Sequence, residues 1–248
     1  MLLDAEAERE FREQMGTSGL GDYQGVIFRL GFNFERLPGF DPARPERYGL
    51  DALHGSRVYR GRRGGRELLF APTLMGAPAA SFSIERYLCH SPASHGIGVG
   101  YCGALHPDIE VGSIIVPDRA RIGEGTSSYY GAGTVSVPDH ELVELLVATS
   151  RRHGCEPWVG EVFSIDAPLM ETQEFIAGLA QQGTLGIDME TSALFSIACY
   201  HGVRSAAILV VSDKPHQGLP PVLPFADIDA VTEAAIRIAV EALATLEL

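Results

Sequence analysis

The stretch Gly186-Ile187-Asp188-Met189-Glu190-Thr191-Ser192-Ala193-Leu194-Phe195 decides how the chain is read. Its spacing predicts a short helix with two carboxylates, Asp188 and Glu190, on one side. Ala193, Leu194, Ile197 and Ala198 recur at the spacing of one helical face. His201-Gly202 closes the helix, glycine being suited to the left-handed position after a helix end. Ala206-Ala207-Ile208-Leu209-Val210-Val211 follows, apolar without alternation, as in a strand buried on both faces. Asp213 falls just beyond it. In open α/β sheets ligands bind outside the carboxyl ends of strands, so Asp213 is a site candidate by position alone.

Outward from this pair, the chain alternates strands and helices. Residues 4–15 read as a short charged surface helix. Val26 to Leu30 reads as a first strand, 38–49 as a proline-rich loop, and Val58 to Arg66 as a hairpin turning at Gly64-Gly65. Leu68 to Ala71 is a strand, and Met75 to Ala80 opens a helix through Leu88. Gly96-Ile97-Gly98-Val99-Gly100 is a glycine-rich strand end, where glycine allows a ligand close to the backbone. No helix opens directly after it, so it is not a dinucleotide fingerprint. Ser113 to Val116 is a strand closed by Pro117. Helices over 139–153 and 171–182 bracket a strand over 159–165. Residues 219–224 form a loop, and Ile228, Val231, Ala235, Ile238, Ala239, Ala242 and Leu246 mark a closing amphipathic helix. With no repeat and no clear linker, one domain over 1–248 is expected.

Composition removes several function classes. The 248 residues carry a formal charge of -13, which disfavours nucleic acid as a partner, since such binding relies on basic surface. No apolar run reaches membrane-spanning length, and no basic segment followed by an apolar core marks a secretory signal. Cys89, Cys102, Cys155 and Cys199 are widely spaced and form no metal-binding CxxC pair. Their apolar contexts suit reduced thiols and a cytoplasmic location.

Several stretches in register resemble the nucleoside phosphorylase and nucleosidase family, which includes purine nucleoside phosphorylase, uridine phosphorylase and AMP nucleosidase. Residues 186–195 are similar to its Glu-Met-Glu segment, and Val211-Ser212-Asp213 to its purine-type Ser-Asp motif. Met75-Gly76-Ala77-Pro78-Ala79 resembles its glycine–proline turn. Val99 to Leu105 resembles its central glycine strand, Val111 to Ile115 the strand after it, and Arg121 to Tyr130 a further family segment. The agreement spans roughly residues 68–248. Residues 1–67 match poorly, with 1–25 read as an N-terminal extension. The resemblance implies a three-layer α/β/α fold with a mixed central sheet, homo-oligomers (dimers or hexamers), no metal or organic cofactor, and cleavage of the N-glycosidic bond of a purine nucleoside or nucleotide.

It also implies roles. Asp213 would act as acid to the leaving purine, which requires burial to keep it protonated near neutral pH. Capping the next segment or pairing with Lys214 is its structural alternative. Glu190 would accept hydrogen bonds from the ribose hydroxyls and favour the developing cation, and Met189 would pack on the ribose face or simply fill core. Asp188 stands where many members carry Glu; as a first-turn acid it also complements the helix dipole, and Glu190 ranks above it for direct contact. Cys102 and Gly103 match backbone lining the base, and Ser164, Asp166, Pro168 and Leu169 lie in the segment beside it. Gly76 belongs to the substrate-side turn.

Two departures concern phosphate. The arginine that holds phosphate in phosphorolytic members aligns with Gly98, and the Ser/Thr ligand with Tyr101. The N-terminal phosphate loop is replaced by Gly31-Phe32-Asn33-Phe34-Glu35-Arg36. Water is therefore the expected acceptor, with Glu35 as the candidate to activate it. Arg29, Arg36, Arg57 and Arg121 are alternatives for a rebuilt anion site, and His54 lies about where a neighbouring subunit's arginine contributes in phosphorylases. Hydrolysis is the leading expectation. A phosphorylase with a relocated phosphate site and a non-catalytic purine-nucleoside binding protein are the alternatives.

Overall fold

The computed structural model describes residues 5–14, 20–32, 41–43, 58–215 and 228–246. Helix α1 (Ala5–Gln14) precedes strand β1 (Gly25–Arg29), β2 (Asp41–Ala43), β3 (Val58–Arg63) and β4 (Arg66–Pro72). Helix α2 (Ala77–Ile84) runs into a π-helical turn, Glu85–Cys89. Then come β5 (His95–Ala104), β6 (Ile114–Gly123), β7 (Val135–Ser136), α3 (His140–Arg152), β8 (Trp158–Ile165), α4 (Gln173–Gln181), β9 (Gly186–Asp188), α5 (Thr191–Tyr200), β10 (Arg204–Asp213) and α6 (Asp229–Thr245).

The sheet is mixed. Strand β5 lies parallel to β1 on one side and to β10 on the other, and β1 continues to parallel β4. Strands β3 and β2 extend this edge antiparallel. On the other side β10, β6, β8 and β9 pair in turn, and β9 returns to β5. Five strands thus close on one another while β1 to β4 form an open wing.

Alternation along the strands sorts side chains into two cores. Val26, Phe28 and Leu30 join Leu194 and Ile197 under α2 and α5. Ile27, Ile97 and Val99 join Ile238 and Leu243 under α6, with Leu142 and Leu146 of α3. Helices on both faces of the sheet make the expected three layers. Helix α5 is buried from Thr191 to Ala198, which is why its apolar positions extend beyond one stripe. It ends as expected: Gly202 has φ 71, and Val203 N donates to the Ala198 carbonyl at 2.8 Å, satisfying an orphan carbonyl.

Four expectations are corrected. Asp188 ends β9 and Glu190 precedes α5, so the two carboxylates sit on a strand-to-helix turn, not on a helix face. The glycine run occupies the body of β5. A Cβ at Gly98 would lie 2.8 Å from Leu30 Cδ1 and 2.9 Å from Leu194 Cδ2, so these glycines admit core leucines instead of a ligand. Strand β6 continues through Pro117, where a register shift between Pro117 and Arg119 absorbs the missing donor. Within the expected loop at 38–49, residues 41–43 pair with β3.

Candidate active site

The carboxyl end of β5 gathers the candidate residues. Gly103 pairs with Ile187 of β9 on one side and with Asp213 of β10 on the other. Neighbouring strands lie about 4.8 Å apart, so the Asp213 backbone and the β9–α5 turn flank Gly103 at roughly 10 Å from each other. Between Val211 and Asp213 the β10–β5 register shifts by one residue. Such a bulge re-aims the side chain that follows it.

Glu190 forms one half of the site. Its Oε1 accepts the Gly76 N–H at 2.6 Å. Gly76 has φ 89, a conformation that favours glycine, and it directly precedes α2. A Cβ on Gly31, at the end of β1, would come within 3.4 Å of the same carboxylate oxygen, and one on Gly76 within 3.9 Å of Met189 Cε. Gly31 N in turn donates to Thr73 Oγ1 at 2.8 Å. The ends of β1 and β4, the start of α2 and the start of α5 therefore converge on one buried carboxyl.

Asp188 holds this turn in place. Ser164 donates to its Oδ1 at 2.5 Å, and Thr191 N donates to its Oδ2 at 2.9 Å, joined by the Thr191 hydroxyl. Asp188 thus caps α5 from two residues upstream of the usual position. Ser164 Oγ also accepts Ser192 N at 3.0 Å, and Ser192 Oγ donates to Glu124 Oε1 at 2.9 Å. Burial pushes the Asp188 carboxyl up while these donors pull it back. Burial, and then the neighbouring Asp188 charge, push Glu190 up to about 8.

Asp213 forms the other half. It is partly exposed at the end of β10, and burial raises its pKa while the Ser212 hydroxyl, donating at 2.7 Å, opposes the rise. Lys214 pairs with Glu110 at 2.6 Å, so the alternative in which it neutralises Asp213 does not hold. A Cβ on Gly103 would lie 2.5 Å from Pro215 Cγ and 3.2 Å from Asp213 Oδ2, so only glycine leaves the base side of β5 open. Cys102 is buried, with its thiol pushed up first by burial and then by Asp188 and Asp213.

One residue was missed. Glu171, expected as the first residue of a helix, follows a short 3-10 turn over Pro168–Met170. Its carboxyl is pushed up to about 7 by burial and by the charge of Asp213. No local sequence signal pairs these two; only the fold does. Leu169, on the same turn, is 87% exposed. Glu35 and His54, with Arg36 and Arg57, lie outside the described residues.

Two of the four arginines considered for an anion site, Arg29 and Arg121, are described, and both are engaged elsewhere. Arg29 is buried, with Cζ 4.2 Å from the Tyr101 ring centroid and Nη1 3.4 Å from the Val99 carbonyl. Arg121 bonds Glu161 and, at 2.6 Å, Gln182. No described helix is long and apolar enough to cross a membrane.

Comparison with known proteins gives the chain its relatives. A guanosine phosphorylase from Halorubrum lacusprofundi is 32% identical over 148 residues, 59% of this chain and 61% of that protein. A purine nucleoside phosphorylase DeoD-type from Bacillus subtilis is 29% identical over 188 residues, 71% of this chain and 80% of its own length. One of the same type from Bacillus cereus is 27% identical over 193 residues, 73% of this chain and 82% of its own. The family model described as the phosphorylase superfamily matches residues 25–246. The match begins at β1. The chain belongs to the phosphorylase superfamily, the family of the nucleoside phosphorylases that split N-glycosidic bonds.

Proposed function

We propose that this protein cleaves the N-glycosidic bond of a purine nucleoside by phosphorolysis. Asp213 protonates or strongly hydrogen-bonds the leaving purine at N7. Glu190 accepts the ribose hydroxyls, and because burial and Asp188 hold its carboxyl up at about 8, it favours the cationic sugar of the transition state as an anion only towards that pH. Met189 packs on the sugar. Asp188 and Ser164 act as positioning residues, because their polar atoms are already engaged by the turn they hold. The observation that carries this reading is the placement of Glu190 and Asp213 on either side of Gly103 at one strand end. Base and sugar would span that gap.

The acceptor is where the reading departs from the sequence expectation. Hydrolysis was expected because Gly98 and Tyr101 replace the usual phosphate ligands. The relatives described above are named phosphorylases, and phosphate is the acceptor adopted here. Gly98 backs onto core leucines and Tyr101 stacks beside Arg29. A phosphate site would therefore be built from positions other than Gly98 and Tyr101.

Incubation with inosine, guanosine and adenosine, with and without phosphate, tests the proposal. Base release that requires phosphate and yields the pentose 1-phosphate is expected. Equal release in phosphate-free buffer would replace phosphorolysis by hydrolysis. Tight binding without product would make the protein a purine-nucleoside binder.

A further inference from the structure

A second cluster lies at the opposite ends of the two helices that meet at Glu190. Glu85 opens the π-helical turn after α2, and His90 directly follows that turn. His201 is the C-terminal cap of α5. The π turn matters: His90 N donates to the Glu85 carbonyl at 3.0 Å, so residues five apart stack on one face. In a regular α-helix they would diverge. Such turns recur at functional sites.

Both imidazole Nε2 atoms lie 3.0 Å from the same oxygen, Glu85 Oε2. That oxygen is buried and, among the described residues, receives no contact that meets hydrogen-bond geometry. His201 Nε2 also approaches Oε1 at 3.1 Å. The three donor atoms fall within 4.8 Å of one another, with side-chain exposures of 20% for Glu85, 12% for His90 and 7% for His201. Donors on a tetrahedral zinc, bound at about 2.0–2.2 Å, stand roughly 3.3–3.5 Å apart. Two imidazoles and one carboxylate are a ligand set that suits zinc-class ions over magnesium.

We propose that Glu85, His90 and His201 bind one divalent zinc-class cation with water in the fourth position, clipping the end of α2 to the end of α5. Its role is structural. Helix α5 has 10 residues and so places the clip about 15 Å from Glu190, too far to touch substrate. Tyr130 supports the site from outside. Its phenol hydrogen-bonds Glu85, and it packs edge-on against Tyr200 with ring centroids 5.6 Å apart.

Calorimetric titration of the full chain with Zn²⁺ and metal analysis after desalting test the proposal. One Zn²⁺ per chain is expected, with a rise in Tm that Mg²⁺ does not reproduce. His90→Gln and His201→Gln should each weaken that binding at least tenfold, as measured on samples whose far-UV circular dichroism matches the parent. Binding unchanged in both variants, or no stoichiometric binding to the parent chain, overturns the site. Should either variant fail to fold, Co²⁺ added to the unmodified protein decides. The intense visible absorption of a four-coordinate ion supports the site, and a weak octahedral spectrum or none refutes it.

Discussion

The two carboxyl-bearing strand ends on either side of Gly103 are built differently. At the end of β9, Asp188 receives bonds from Ser164 and Thr191, and Glu190 is pinned by Gly76 N. At the end of β10, Asp213 is partly exposed and accepts a hydrogen bond from its own neighbour Ser212. The first end is over-determined and the second is loosely held. A group that binds an unchanging sugar gains from rigid placement. A group that must pass a proton needs a raised pKa and room to move with the leaving base.

The largest effect expected from this contrast is at Asp213. Asp213→Asn should lower kcat on a purine nucleoside about 10²–10⁴-fold with little change in Tm. Retention of full activity would remove the acid role. Glu190→Gln comes next. Losing a hydrogen bond to a charged group costs about 1.5–3 kcal/mol, so kcat/KM should fall roughly 10–150-fold.

Glu190→Gln should also act on stability, in the opposite sense. The Glu190 pKa is raised to about 8 in the folded chain, against about 4.3 unfolded. Between those values the folded state holds a proton that the unfolded state has lost, so stability falls as pH rises through that window. Gln keeps the acceptor for Gly76 N without the charge. The variant should therefore gain about 1–3 kcal/mol over the parent above pH ~8 and lose that gain towards pH ~4. Tm measured across this range checks it, and a gain independent of pH would contradict the assignment.

Glu171 sharpens the comparison from the other side. Burial, and then the Asp213 charge, keep its carboxyl protonated up to about 7. If Glu171 supplies the proton that the proposed acid step uses, the rate should decline as pH rises through that value. Glu171→Gln removes the partner and should move this descending limb to lower pH; an unmoved limb would separate Glu171 from the acid.

Ser164→Ala should cost about 1–3 kcal/mol in stability by leaving Asp188 short of a donor, visible in chemical denaturation. Lys214→Ala is expected to be the mildest. Its partner Glu110 is 74% exposed, and such pairs contribute about 0–1 kcal/mol.

Legibility followed the range of the forces involved. Helix α5 and strand β10 were readable from apolar spacing, because burial repeats with the period of the element. The Gly202 stop and the Gly64-Gly65 turn were readable because positive φ selects glycine. The placement of Asp188 and Glu190 on a helix was not, since the chain enters α5 through a cap supplied from β9. The glycines of β5 looked ligand-facing until Leu30 and Leu194 were seen to fill the space above Gly98. Pro117 looked like a strand end, yet a register shift carries β6 past it.

By itself, the sequence determined the alternation of elements, the family motifs and the identity of Asp213 and Glu190 as the residues to watch, because periodicity and short motifs are local properties of the chain. The tertiary structure alone decided that Glu171 stands by Asp213, that Arg29 is stacked and buried, and that Glu85, His90 and His201 share one point in space. Those facts depend on which strand lies beside which and on a single π-helical turn, and contacts between residues far apart in sequence leave no periodic trace in it.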